Sequence, residues 1–360
     1  MRLQSGKTDS HVLAKMIGLA ASMTFDQSLR KWFFAVRRNF PWREEKNPYR
    51  VWVSEVMLQQ TRASVVVEYF QRWMERFPDV TTLALASEEE VIKIWEGLGY
   101  YSRARNLHRG AKKIVEQWGG QIPEELEGIA GIGPYTRGAI LSFGFHKRAA
   151  AVDGNVARVL ARYDAIEQEI DQPKVRKALQ ARMLSLLEEK EPWVTAEALI
   201  ELGATLCTPK KPKCQQCPIQ QECQSKKEGR EEELPFKKKG PLLTELQRTV
   251  LVVEAEQALL IQQREENRLM AGLYEFPYVE GRLEAEKILS DWGLEATEQI
   301  LLPKVTHTFT RYRAHLFPTL LRVPKKILIS GFTWADRPEQ LPFSSGHRRI
   351  LLEAKKISQR

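Results

Sequence analysis

Cysteine is scarce in this 360-residue chain, and all four cysteines fall between Cys207 and Cys223. A secreted scaffold stapled by scattered disulfides is thereby excluded. Long apolar runs are missing too: nothing approaches the ~20 residues of a membrane span. The N-terminal "HVLAKMIGLAASM" only loosely resembles a signal peptide, because its apolar core is short. Residues 1–24 are expected to be a disordered extension, with Met23 a second candidate start. Only six residues are histidine, so the net charge of +9 rests on 55 Lys and Arg against 46 Asp and Glu. No internal repeat is evident.

Acid is locally absent as well. Between Glu96 and Glu116 stand Arg103, Arg105, Arg109, Lys112 and Lys113 with no carboxylate among them. Between Glu127 and Asp153, Arg137, Lys147 and Arg148 are likewise unopposed. Solvated surfaces usually mix both signs, whereas a face meeting nucleic-acid phosphates does not.

From Phe25 to about Tyr163 apolar residues recur with helical spacing. "DQSLRKWFFAVRR" offers Asp26 as N-cap and a stripe of Leu29, Trp32, Phe33 and Val36. "GNVARVLARY" places Val156, Val159, Leu160 and Tyr163 on one face, and "TAEALIELGATLC" runs as a helix into the cysteines. After a charged, Pro-containing linker over 226–244 the period changes to two. "RTVLVVEAEQALLIQQR" predicts a β-hairpin, "AEKILSDWGL" a helix, and "HTFTRYRAHLFPTLLRV" one long strand or two short ones.

Three stretches carry chemistry. "CTPKKPKCQQCPIQQEC" spaces its cysteines C-x6-C-x2-C-x5-C, close enough for one metal centre, with Lys210, Lys211 and Lys213 to offset thiolate charge. Zinc is the default for four cysteines, and two disulfides are the alternative. "IAGIGPYTRG" predicts a tight hairpin whose Gly131 and Gly133 take positive φ and whose Pro134 opens a helix. Its outward N–H groups suit a phosphate. In "NPYRVWVSEVMLQQTR", Glu55 is the one charge between Arg50 and Arg62. Half-burial among Val51, Trp52, Val53, Val56 and Met57 is expected to raise its pKa.

Together, in order, the hairpin, the Asp of "AVDGN" and the cysteine loop resemble the helix-hairpin-helix DNA glycosylases. "PWR…NPYRVWVSEVMLQQT", "WEGLGYYSRARNLH" and "ALIELGA" are similar to one branch, the adenine-DNA glycosylase (MutY) family, from about Phe25 to Cys223. The resemblance implies that Cys207, Cys214, Cys217 and Cys223 hold a [4Fe–4S] cluster and that the hairpin amides around Gly131 and Gly133 bind DNA. It implies that Glu55 protonates adenine N7, that Asp153 stabilises the cationic sugar, and that Tyr135 and Asn155 complete the site. A helix N-terminus is expected to keep Asp153 ionised. Trp42, Arg43 and Glu201 would line the adenine pocket; Gln60, Leu98 and Tyr100 would fill the vacated stack. Core packing is the alternative for Leu98 and Tyr100, and for Tyr135 on its helical turn.

Relatives that also cut the strand carry Lys where Tyr135 stands. A phenol forms no imine, so simple hydrolysis is expected. In this family the second domain is Nudix-like and reads 8-oxoguanine. Glu286, Lys287, Ser290 and Asp291 stand where a Nudix hydrolase has its Arg and Mg²⁺-binding carboxylates, so pyrophosphate cleavage is not expected. The family's Phe-Ser-His loop is here Phe309, Thr310, Arg311. The expected architecture is multidomain. An all-α, two-lobed helix-hairpin-helix domain (25–225) with its [4Fe–4S] loop (207–223) precedes an α+β Nudix-like domain (245–360). The expected activity is monofunctional excision of adenine opposite 8-oxoguanine or guanine in double-stranded DNA, by a cytoplasmic, nucleoid-associated monomer without a membrane partner. An endonuclease III-like glycosylase/lyase and an inactive DNA-binding paralogue are the rivals.

Overall fold

The computed structural model describes residues 23–238, 242–265 and 270–358; all of the expected N-terminal extension except Met23 and Thr24 lies outside them. Helices come first: α1 (Phe25–Val36), α2 (Pro41–Glu44), α3 (Pro48–Leu58), α4 (Ala63–Arg76), α5 (Val80–Leu85), α6 (Glu88–Trp95) and α7 (Ser102–Trp118). The hairpin leads into α8 (Pro134–Ala139) and a π-helical turn (Ile140–Gly144), then α9 (Gly154–Tyr163), α10 (Pro173–Leu186), α11 (Pro192–Thr205) and α12 (Gln224–Lys227). Contacts divide the chain into two compact units, residues 1–38 with 146–237, and 39–145 with 238–360.

The first helix corrects one expectation. Thr24, not Asp26, is the N-cap. Its hydroxyl accepts from Gln27 N at 3.3 Å, and the Gln27 side chain accepts from Thr24 N at 3.2 Å. Two orphan donors are satisfied at once, which a lone Asp cannot achieve. Asp26 lies buried in the first turn and accepts from the Thr195 hydroxyl of α11.

The strand-rich region holds β1 (Thr244–Ala255), β2 (Ala258–Gln263), β3 (Tyr274–Glu275), β4 (Tyr278–Glu280), α13 (Ala285–Asp291), β5 (Glu298–Leu301), β6 (Val305–Phe309), β7 (Tyr312–Arg322), β8 (Thr333–Ala335) and α14 (Ser345–Ser358). The sheet path is β3-β2-β1-β7-β5, with β4 on β1, β6 on β7 and β8 on β2. Strands β1 and β7 run parallel from Thr244↔Tyr312 to Glu254↔Arg322. Val250 and Val252 pack with Ile350 and Leu351 of α14, while Leu251 and Val253 pack with Ile288 and Leu289 of α13. Covering both faces explains the unbroken apolar run "VLVV". The "HTFTRYR" segment is two strands joined by a turn at Thr310 and Arg311, with Thr310 at φ +46°.

Candidate functional site

Asn47 starts α3 by accepting from Arg50 N at 2.9 Å, and Pro48 fills the first helical position. Tyr49 and every residue from Val51 to Met57 are buried, so Glu55 is 8% exposed rather than half-buried. The hairpin supplies its partner: the Tyr135 hydroxyl donates to Glu55 Oε2. Gly131 has φ +83°, where a side chain would be strained. Gly133 does not need that freedom, with φ −86° as the N-cap of α8. In the same unit Trp42 is buried, stacked on Phe40 at 4.6 Å and edge-on to Phe70 at 5.7 Å, and Arg43 lies over the Phe40 ring at 5.3 Å.

The other unit carries Asp153, the N-cap of α9, whose Oδ1 accepts from Val156 N at 2.7 Å. Its Oδ2 accepts from Asn155 Nδ2 at 2.7 Å. Desolvation nevertheless dominates and raises the Asp153 pKa, against the bonds from Val156 and Asn155. Removal from water thus outweighs the amides and works against the pull of the helix end toward the ionised form. Glu201, fully buried on α11, takes a two-pronged ion pair from Arg38 at 2.5 and 3.2 Å. A Cβ on Gly203 would sit 2.6 Å from Asn155 Cβ, so glycine lets α11 pack closely on α9.

Sequence reasoning missed Arg158 and Arg162. Arg158 donates to Cys207 O at 2.7 Å, Gly203 O at 2.6 Å and Asn155 Oδ1 at 2.9 Å. It thus joins the start of the cysteine loop to the residue that orients Asp153. Arg162, 2% exposed, donates to Cys207 Sγ at 3.4 Å and to the carbonyls of Thr208 and Leu234. The signal was present as two arginines four apart in an apolar helix. Lys210, Lys211 and Lys213, expected to offset thiolate charge, are exposed.

No disulfide joins the four cysteines, which line one apolar pocket with Leu202, Leu206 and Ile219. Burial pushes the Cys217 thiol up to about 12 and raises Cys214 and Cys223, and the neighbouring cysteines push the same way. A strongly cationic centre would favour the thiolate form of such a ring. Among the described residues no trio of His, Cys, Asp or Glu converges on a single metal ion. A rim of thiols around a space fits a multi-iron cluster, which takes thiolate ligands alone.

Leu98, Tyr100, Phe309 and Thr310 line one cleft of about 1080 Å³, with Asn106 and Arg109 of α7 and His307 of β6. Leu98 is buried at its edge, and Tyr100 is 46% exposed with φ +47°. Arg311 does not line the cleft; its guanidinium donates to its neighbour's hydroxyl, Tyr312 Oη, at 3.0 Å. Not every cation in the acid-poor stretches is a free surface charge: Arg103 is buried, and Arg137, though exposed, pairs with Glu127. Arg109 and Lys112 are exposed.

Against known proteins, residues 53–183 match the HhH-GPD superfamily of base excision DNA repair proteins. Residues 207–223 match the iron–sulfur binding domain of endonuclease III, and residues 248–353 a NUDIX domain. The structure resembles that of a thermostable thymine-DNA glycosylase, with TM-score 0.53 and 26% identity over 57% of this chain and 95% of that one. These define a helix-hairpin-helix DNA glycosylase of base excision repair, with a [4Fe–4S] cluster held by the cysteines of 207–223 and a C-terminal Nudix-like domain.

The adenine DNA glycosylase of Homo sapiens is 33% identical over 94% of this chain and 74% of its own length. That of Buchnera aphidicola subsp. Baizongia pistaciae is 32% identical over 86% and 87%. The chain belongs to the adenine DNA glycosylase family.

Proposed function

We propose that the chain hydrolyses the glycosidic bond of adenine opposite 8-oxoguanine or guanine in double-stranded DNA and leaves the strand intact. The observation that carries this reading is the bond from the Tyr135 hydroxyl to Glu55. It puts a phenol, which cannot form a Schiff base, beside a buried carboxyl suited to proton transfer. In this reading Glu55 delivers a proton to adenine N7, and Tyr135 orients the carboxyl. Adenine leaves as a neutral base, water supplies the hydroxyl at C1′, and the proton that water releases returns to the Glu55 carboxylate. Asp153, held by Asn155, stabilises the cationic sugar; in a poorly solvated site that attraction is strong.

The remaining assignments belong to the same proposal. Trp42, Arg43 and Glu201 line the adenine pocket. Gln60, Leu98 and Tyr100 fill the opened stack, and amides around Gly131 and Gly133 hold the backbone. The cluster, bound by Cys207, Cys214, Cys217 and Cys223, cross-links its loop. A glycosylase domain over 25–225 and a recognition domain over 245–360 act as one monomer on cytoplasmic, nucleoid DNA. Phe309 and Thr310 meet the opposite base, the Thr310 hydroxyl reading the N7–H or 8-oxo edge that guanine lacks. Arg311, outside the cleft, contributes to general DNA affinity instead.

Single-turnover excision of adenine opposite 8-oxoguanine, guanine, cytosine and thymine tests the specificity. A preference for 8-oxoguanine that shrinks in Thr310→Ala supports it. Equal rates against all four bases contradict it.

A further inference from the structure

Arg103 opens α7 yet is 8% exposed, and burial lowers its pKa to about 10. Its Nη1 donates to Val56 O at 2.8 Å, Met57 O at 3.2 Å and Gln59 O at 2.5 Å. Its Nη2 donates to Leu98 O and Gly99 O, each at 3.1 Å. Val56 and Met57 are among the last residues of α3, whose terminal carbonyls have no partner within the helix. A cation there caps the helix that carries Glu55.

The two carbonyl groups share another property. Gln60 follows Gln59 with φ +58°, and Tyr100 follows Gly99 with φ +47°. Both are exposed, and both hold a left-handed conformation that a non-glycine side chain resists. A single guanidinium therefore grips the carbonyl immediately before each strained residue. Its planar fork reaches both segments at once, which the single nitrogen of lysine cannot do.

We propose that Arg103 is a positioning residue that locks the Gln60 and Tyr100 segments into one rigid stack-filling unit and so enables extrusion of the target base. The inference rests on the stack-filling roles proposed above for those residues. Arg103 touches no substrate; it acts through the backbone of the two segments.

The test places 2-aminopurine at the target position of a duplex and follows its fluorescence as protein binds, in the Glu55→Gln background so that no base is cleaved. Arg103→Lys should lose most of the fluorescence rise, about tenfold in extrusion equilibrium, while DNA affinity stays within about threefold. In a Gln60→Ala, Tyr100→Ala background the same substitution should cost nothing further. A full fluorescence rise in Arg103→Lys, or an undiminished loss in the alanine background, overturns the proposal. No rise with Arg103 intact contradicts the stack-filling roles themselves. Should Arg103→Lys fail to fold, Gln60→Gly provides the second test. Relief of the left-handed strain should raise Tm by ~1–4 °C while extrusion falls. An unchanged or lower Tm would show that Gln60 is not strained, which removes the premise that Arg103 holds two strained segments and overturns the proposal.

Discussion

Glu55 and Asp153, the proposed proton donor and cation stabiliser, sit in different surroundings. Glu55 sits on a helix of apolar neighbours and accepts from the Tyr135 phenol, and Asp153 caps a helix and accepts from the N–H groups of Val156 and Asn155. Glu55→Gln and Asp153→Asn keep shape and remove a carboxylate, so each should lower single-turnover excision by ~10²–10⁴-fold with DNA affinity nearly intact. Asp153→Asn has a second consequence. Burial raises the Asp153 pKa, so between the ordinary and raised values the folded chain holds a proton that the unfolded chain has released. Stability therefore falls as pH rises through that window, and the deficit persists at neutral pH. Asparagine still caps the helix, so Asp153→Asn should melt higher than the unaltered chain in calorimetry at pH 7. A lower Tm would mean that the charge stabilises the fold. At this scale the sequence was informative about residue identity and weak on environment. It placed Glu55 in an apolar stretch, but the desolvation of Asp153 comes from packing that a linear pattern does not contain.

Helix α9 shows what an element reveals and conceals. Its stripe of Val156, Val159, Leu160 and Tyr163 was legible, and all four are buried. Arg158 and Arg162 are buried as well, because carbonyls of the cysteine loop and of Gly203 accept their N–H groups. Nothing local in "GNVARVLARY" encodes those acceptors, which arrive some 45 residues later. Since Arg158 fixes Asn155, and Asn155 fixes Asp153, Arg158→Lys should lower kcat by about 10-fold or more while KM changes little. Unchanged kcat would uncouple the cysteine loop from Asp153. Cys214→Ser should yield protein depleted of iron and of its visible colour, read by iron analysis and absorbance. Full iron content in that variant would remove Cys214 from the ligand set.

At the scale of the whole chain, both the change of period beyond the linker and the strands it predicts are present. The docking of the C-terminal region was not legible. Glu96, at the end of α6, pairs with Arg348 of α14, 252 residues away, at 2.5 and 2.9 Å, and accepts from Phe343 N at 3.1 Å. Lys93 donates to Glu339 O at 2.6 Å. Pairs this distant leave no trace in local spacing. The same region holds an acid-sensitive core: burial lowers His347 to about 3 and His307 to about 4. Both are neutral when folded, so below the ordinary value of 6.5 the unfolded chain takes up more protons, and stability falls as pH drops from 6.5 toward 4. Glu275, whose pKa burial raises, opposes this in part. Tm should decline over that range, and His347→Gln should flatten the decline; a pH-independent Tm would contradict it. The proposed reaction is hydrolysis without strand cleavage. Its most direct test incubates the protein with a 5′-labelled duplex bearing adenine opposite 8-oxoguanine, then divides the sample between alkali, no alkali and borohydride. Strand breaks are expected only after alkali, with no borohydride-trapped adduct from the unaltered chain, and with a trapped adduct and nicking in Tyr135→Lys. Nicking without alkali and a trapped adduct from the unaltered chain would contradict it.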